Sequence, residues 1–206
     1  MIKIEHVVCP SDDQMMFVIE GMRNAFNSWD KSDSEMCSCT DTGVEIGFHL
    51  GEVDEALMCK LARLGSDERK FMRQMPIMMR ITAPLYWWKE FDTYKVATVS
   101  NSCSTMHTIA NREFRWEDFS IEYLRYEKFG TIEDAQNKMR DDAITQFENT
   151  RNTLNAYRHQ YLKAKEKGKD DLAKDYWRQM IQLLPSSYNQ TRNICMNYEV
   201  LANIYK

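Results

Sequence analysis

No stretch of this 206-residue chain approaches the ~20 consecutive apolar residues that cross a bilayer, so no transmembrane helix is expected. No Lys/Arg stripe stands out either. Basic residues number 27 against 31 acidic ones, and the net charge is -4. The sequence-independent attraction to phosphate backbones on which nucleic-acid binders rely is therefore missing. Neither a membrane nor a nucleic acid is expected as a partner. There is no CxxC pair. The six cysteines, at 9, 37, 39, 59, 103 and 195, are too scattered for a disulfide framework. They suit free thiols in a reducing compartment, and a cytoplasmic location is expected. Cys37 and Cys39 have no His or Cys neighbours at zinc-site spacing, so no metal site is expected and the pair is assigned to a loop. The N-terminal MIKIEHVV alternates apolar with charged residues, unlike the apolar core of a signal peptide. Internal repeats and low-complexity segments are also lacking.

What is present suffices for a core. Hydrophobic residues make up 43% of the chain and aromatics 12%, enough for one substantial domain or at most two small ones. A single domain over residues 1–206 is expected. Ile2 and Ile4, with His6 or Val8, alternate as one face of a strand. Ser11-Asp12-Asp13 then makes an N-cap for a helix with Met15, Met16, Ile19, Met22, Arg23 and Phe26 at helical spacing. Residues 27–43 read as a loop and 44–50 as a second strand. A helix is expected from Asp54, with Gly65 as its C′ residue. Residues 71–82 read as a strand, alternating from Met75 onward and leading into Pro84. A short helix follows over 85–94, with Leu85, Trp88 and Phe91 on one side. A long helix is expected over about 133–164, its buried stripe formed by Ile144, Phe147, Leu154, Tyr157 and Tyr161. Gly168 breaks it, a second helix runs from about Asp170 to Leu183, and residues 193–205 read as a final helix. Strands mixed with helices, and a late helical hairpin, predict an α/β or α+β fold with one sheet.

Between residues 83 and 107 an aromatic amphipathic segment gives way to a polar run: Thr98, Ser100, Asn101, Ser102, Ser104 and Thr105. Such side chains disfavour helix interiors and favour turns and ligand contacts. This region resembles the signature of the flavin-dependent thymidylate synthases: an Arg-His-Arg triplet, a Ser, then Asn-Glu-x-Ser-x-Arg-Tyr. Thr93, Tyr94 and Lys95 stand at the triplet and Thr98 at the Ser. After one inserted residue, Asn101, Ser102, Ser104, Met106 and His107 stand at Asn, Glu, Ser, Arg and Tyr. The C-terminal LLPSSYNQTRNICMNYEVLAN is similar to the family's Leu-Pro, aromatic-rich, Asn-x-x-x-Leu-x-Asn segment, with Leu184, Pro185, Asn197, Leu201 and Asn203 in place. The chain is identified on these segments as a divergent relative over its whole length.

The resemblance implies that fold, a homotetramer, and FAD as cofactor. It also implies methylation of dUMP or a related pyrimidine deoxynucleotide, with methylenetetrahydrofolate as carbon donor and NADPH as reductant. Tyr94, Lys95, Asn101, Asn197 and Asn203 are implied as cofactor-binding residues, and Glu90 and Ser104 as substrate-binding ones. No catalytic residue is assigned. Departures fall mainly on the phosphate-binding cations: Thr93, Met106 and Ile181 stand where the family has Arg. Lys70 and Arg73 replace a flavin-binding Thr and Glu, and Glu90 replaces a Gln. Lys89, Arg80 and Arg192 are further candidate replacement cations; solvated surface charge is their ordinary role. The sequence given stops at Lys206, two residues before the place of the family's catalytic Arg, so it is either truncated or from a branch without that residue. A Cys103–His107 nucleophilic pair is disfavoured, since two residues four apart in a loop seldom pair. Two readings result: a flavoenzyme acting on a pyrimidine deoxynucleotide, or a non-catalytic relative serving as a nucleotide-binding or regulatory module. An unrelated helical interaction protein, suggested only by the long amphipathic helix, is disfavoured by two segments matching in order.

Overall fold

The computed structural model describes residues 1–39, 44–124 and 142–205. Strand β1 (Lys3–Val8) leads to α1 (Asp12–Asn24). There Ser11 Oγ accepts from Gln14 N at 3.3 Å and Gln14 Oε1 from Ser11 N at 2.9 Å. This reciprocal box satisfies two orphan donors, and the helix buries Val18, Ile19 and Met22. Phe26 lies beyond the helix and is exposed.

The expected loop over 27–43 instead contains a 3-10 turn (Trp29–Lys31) and strand β2 (Glu35–Cys39), which pairs antiparallel with β3 (Val44–His49). Cys37 and Cys39 therefore lie on a strand, not in a loop. Met36 opposite Phe48 and Cys37 opposite Gly47 set the register, with an irregularity between Cys37 and Cys39. Pairing to β3 orders a polar segment that has no apolar alternation of its own.

Helix α2 (Glu52–Ala62) starts two residues before Asp54 and stops before Gly65, which is not in the left-handed region that a C′ glycine adopts. Gly51, its N-cap, offers no side chain. Asp33 supplies the cap, accepting from Val53 N at 2.9 Å and Asp54 N at 3.0 Å. A Cβ on Gly51 would collide with the Asp33 carboxyl and carbonyl carbon, so glycine is required by close approach.

A 3-10 segment (Glu68–Gln74) takes Phe71 and Met72 out of the expected strand, and β4 runs Pro76–Pro84. The alternation is carried through: Ile77, Met79, Ile81 and Ala83 are buried. Pro84 ends the strand and α3 (Leu85–Phe91) begins, three residues shorter than expected because the chain turns at Thr93, whose carbonyl accepts from Lys95 N at 3.0 Å. Strand β5 (Val99–Ser102) and the single-turn α4 (Thr105–Thr108) follow, then a 3-10 turn (Trp116–Asp118). Helix α5 (Ala143–Glu166) is capped by Asp142, which accepts from Thr145 N at 2.9 Å; the expected start near 133 lies outside the described residues. Gly168, at φ +64°, turns the chain into α6 (Asp170–Leu183). The expected final helix over 193–205 is corrected: β6 (Asn189–Asn197) precedes α7 (Tyr198–Tyr205). Ile194 and Met196 are buried on alternate positions as a sheet requires.

The main sheet has the order β1-β4-β6-β5, and β2-β3 forms a separate ribbon. The fold is mixed α/β with one main sheet and a late helical hairpin. Contacts group the chain into two units. The first comprises 1–3, 82–91 and 102–191, and its core packs Phe114, Phe119, Phe147, Leu154 and Met180. The second comprises 4–81, 92–101 and 192–206, with Val18, Ile19, Met22, Leu61, Phe71 and Met75 at its core. Beside that core, Arg23 donates from Nε to Asp54 Oδ1 at 2.7 Å, both side chains being buried. Ser32, Ser34 and two backbone amides complete the Asp54 carboxylate's bonding.

Candidate functional site

Within the second unit a cavity of about 490 Å³ is lined by residues from three parts of the sequence. The 3-10 segment before β4 supplies Arg69 and Arg73, the turn after α3 supplies Thr93, Tyr94 and Lys95, and the end of β6 with α7 supplies Asn197, Glu199 and Asn203. The turn is tight: Ala97, also in the wall, holds φ +58°, a left-handed conformation that costs a non-glycine residue roughly 1–2 kcal/mol. Strain of this kind persists where the surroundings over-determine it.

Glu199 organises the charge. Its carboxylate accepts from Arg69 Nε at 3.1 Å and from Arg73 Nε at 2.6 Å. Arg73 also donates to the Ser66 carbonyl at 3.1 Å and to the Ser66 hydroxyl, and Arg69 reaches Asn203 Oδ1 at 3.5 Å. The hydrogen bond from Arg73 holds the Glu199 carboxyl below its ordinary pKa, and the same bond raises that of Arg73. With Lys95, the wall carries three cations against one carboxylate. Asn197 is buried and N-caps α7, its Oδ1 accepting from Val200 N at 3.0 Å. Its amide N–H groups have no partner among the described residues. A pyrophosphate and a hydrogen-bonding ring edge fit such a donor set, the guanidinium forks and ammonium taking the anion and the carboxamide the ring.

Four of the implied site residues, Tyr94, Lys95, Asn197 and Asn203, thus share one cavity. Asn101 does not; it lies on β5 and lines a separate hollow with Arg80, Asn193 and Cys195. Glu90 sits exposed on α3 and Ser104 caps α4, both in the first unit. Of the replacement cations, only Arg73 lines the cavity. Lys70 approaches Asp67 at 3.8 Å, Arg80 donates to Asn193 at 3.4 Å, Arg192 pairs with Asp92 at 2.7 Å, and Lys89 is exposed. Ile181 packs against the apolar core of the first unit and Met106 is exposed, so neither Arg position regains a charge. Cys103 and His107 line different cavities. Sequence reasoning missed Ser66, Arg69 and Glu199. The basic run Arg69-Lys70 with Arg73 was the available signal for the arginines; nothing local marked Glu199. Among the described residues no group of three or more metal-ligating side chains occurs, and no helix is long and apolar enough to cross a membrane.

No protein-family profile and no curated protein matches the chain. Among solved structures it is similar to the thymidylate synthase X of Helicobacter pylori, crystallised with FAD and dUMP. One such structure gives a TM-score of 0.55 at 14% identity, covering 98% of this chain and 81% of that one. A second gives 0.53 at 16% identity with the same coverage. It is also similar to a UMP/dUMP methylase, PolB of Streptomyces cacaoi, bound with 5-Br dUMP: TM-score 0.54, 14% identity, 98% of this chain and 74% of that one. The chain has the fold of the flavin-dependent thymidylate synthases.

Proposed function

We propose that this chain is a divergent flavin-dependent thymidylate synthase-like protein that binds FAD in the Lys95–Asn203 cavity and acts on dUMP or a related pyrimidine deoxynucleotide. The observation that carries the reading is convergence. Tyr94 and Lys95, in the register of the signature, meet Asn197 and Asn203, in the register of the C-terminal segment, about a hundred residues away in sequence. Lys95, Arg69 and Arg73 neutralise the pyrophosphate, and the free N–H groups of Asn197 hold a carbonyl edge of the ring. Glu199 keeps both guanidiniums extended before the ligand arrives, which limits the ordering cost of binding. Bound and reduced, the flavin supplies the reducing equivalents for methylation. The resemblance also implies Asn101 as a cofactor contact and Glu90 and Ser104 as substrate contacts; none of the three lines this cavity. One domain serves the whole chain, as a cytoplasmic homotetramer, with methylenetetrahydrofolate and NADPH as carbon donor and reductant.

The second reading, a nucleotide-binding or regulatory module without turnover, is favoured by Ile181 in an apolar core and Met106 without charge. Each missing charge-assisted bond is worth about 1.5–3 kcal/mol, which is roughly one to two orders of magnitude in nucleotide affinity. Incubating the FAD-loaded protein with NADPH, methylenetetrahydrofolate and dUMP separates the two. Formation of the methylated nucleotide supports the enzyme. FAD retention without any nucleotide-dependent reoxidation of the flavin supports the module.

A further inference from the structure

Helix α1 turns one face into the core of the second unit and leaves the other outside. Phe17, Glu20, Gly21 and Asn24, at three- and four-residue steps, share the outer face. With Trp29 from the following 3-10 turn and Gln74 at the end of the 3-10 segment before β4, they line a hollow of about 400 Å³. All six belong to the second unit, and none lines the Lys95–Asn203 cavity. Gly21 keeps the floor open: a Cβ there would lie 2.7 Å from Gln74 Oε1, so the close approach of that carboxamide to the helix requires glycine.

The lining carries two rings, one carboxylate and no cation. Phe17 is 63% and Trp29 52% exposed, and neither packs on another aromatic ring among the described residues. The indole is nonetheless held by its edge, Trp29 Nε1 donating to Asn24 Oδ1 at 2.9 Å, which leaves the π faces unused. Glu20 is the single ionised group in the lining, and its carboxylate has no hydrogen-bond or ion-pair partner among the described residues. The Gln74 carboxamide has none either. An unpaired carboxylate beside open aromatic faces is complementary to a cation. A guanidinium uses both features, donating from its edge to the carboxylate and stacking its flat face on the indole. An ammonium is a compact, strongly hydrated point charge and cannot do both.

We propose that this hollow receives an arginine side chain of a partner protein, its guanidinium edge on Glu20 and its face against Trp29 and Phe17. The setting favours an arginine carried on a chain over a free metabolite. The rings stand at the surface, and Phe26, between lining residues Asn24 and Trp29 in the chain, is 64% exposed and offers further apolar surface to a partner. The inference stands on the hollow alone and does not depend on flavin binding.

Fluorine NMR of the full chain labelled with 5-fluorotryptophan tests it, with W29F identifying the Trp29 signal among the five tryptophans. The probes are N-acetylarginine amide, which stands for an arginine within a chain, N-acetyllysine amide, the uncharged N-acetylcitrulline amide, and free arginine. The expected result is a saturable shift of the Trp29 signal by the arginine amide, with the lysine and citrulline amides at least tenfold weaker and free arginine no tighter. E20Q weakens the arginine amide about tenfold. G21A keeps the carboxylate but fills the floor, and abolishes binding. Unchanged signals from the other four tryptophans and an undiminished melting temperature show that both variants are folded. A Trp29 signal that the arginine amide does not move overturns the proposal, as does wild-type affinity in E20Q or G21A, or a lysine or citrulline amide binding within tenfold of the arginine amide. Free arginine binding more tightly than the capped amide overturns the protein occupant.

Discussion

Arg73 places its Nε 2.6 Å from Glu199 Oε2, joining residues 126 apart in sequence, and the same carboxylate takes Arg69. The pair fixes two positive forks at the wall of a cavity that also holds Lys95. A carboxylate in that position restrains the cations and also opposes an incoming anion. Substitution of either partner therefore moves ligand affinity in opposite directions.

R69A and R73A are expected to weaken FAD binding by about one to two orders of magnitude each, the worth of a charge-assisted hydrogen bond. E199Q removes the opposing charge and is expected to tighten it severalfold. Quenching of FAD fluorescence on titration with each variant reads both signs.

Asn197 has two roles that substitution separates. N197D keeps the N-cap of α7 but exchanges amide donors for a negative charge, so FAD binding falls at least tenfold while the melting temperature holds. N197A loses the cap as well and costs about 1 kcal/mol of stability. Thermal melts beside FAD titrations distinguish the two variants.

The Asp54 carboxylate is buried, which alone would raise its pKa. Hydrogen bonds from Ser32, Ser34 and Arg23 outweigh burial and hold it at about 2, below the ordinary 3.8. A lowered carboxylate pKa contributes stability that is fully present above the ordinary value and is lost as pH falls from about 4 towards 2. D54N leaves Arg23 buried without its counter-charge and is expected to cost about 3–5 kcal/mol. Urea denaturation at neutral pH measures the loss, and the D54N curve should lack the wild type's decline in that acid window.

Gly51 and Gly168 are expected to respond differently to alanine. At Gly168 nothing lies within 4 Å of the added Cβ, and only the left-handed backbone resists, for about 1 kcal/mol. At Gly51 the Cβ meets Asp33, displacing the side chain that caps α2. Overpacking of about 1–3 kcal/mol then adds to about 1 kcal/mol for the cap. Denaturation midpoints of G51A and G168A rank the two.

The elements that sequence made legible are those with local punctuation. Gly168, the acidic first turn at Asp170 and Asp171, and Pro185 bracket α6, and Ser11 with Gln14 marks α1. β4 was readable because four alternate apolar residues, Ile77, Met79, Ile81 and Ala83, fill one face. β6 offered only Ile194 and Met196, and its identity as a strand comes from neighbours β4 and β5 far away in sequence. β2 was hidden because pairing with β3, and no hydrophobic pattern, orders it. Family resemblance brought Tyr94, Lys95, Asn197 and Asn203 forward. Arg69 and Glu199 stayed hidden because their bond spans 130 residues and is made by folding alone.

The most direct measurement is the visible absorption spectrum of the purified protein, followed by titration with FAD. Binding at the Lys95–Asn203 cavity predicts a flavin spectrum, either carried through purification or acquired by saturable uptake that R69A and N197D weaken. A colourless protein that takes up no added FAD, while remaining folded by thermal melt, would contradict it and leave the fold without its cofactor.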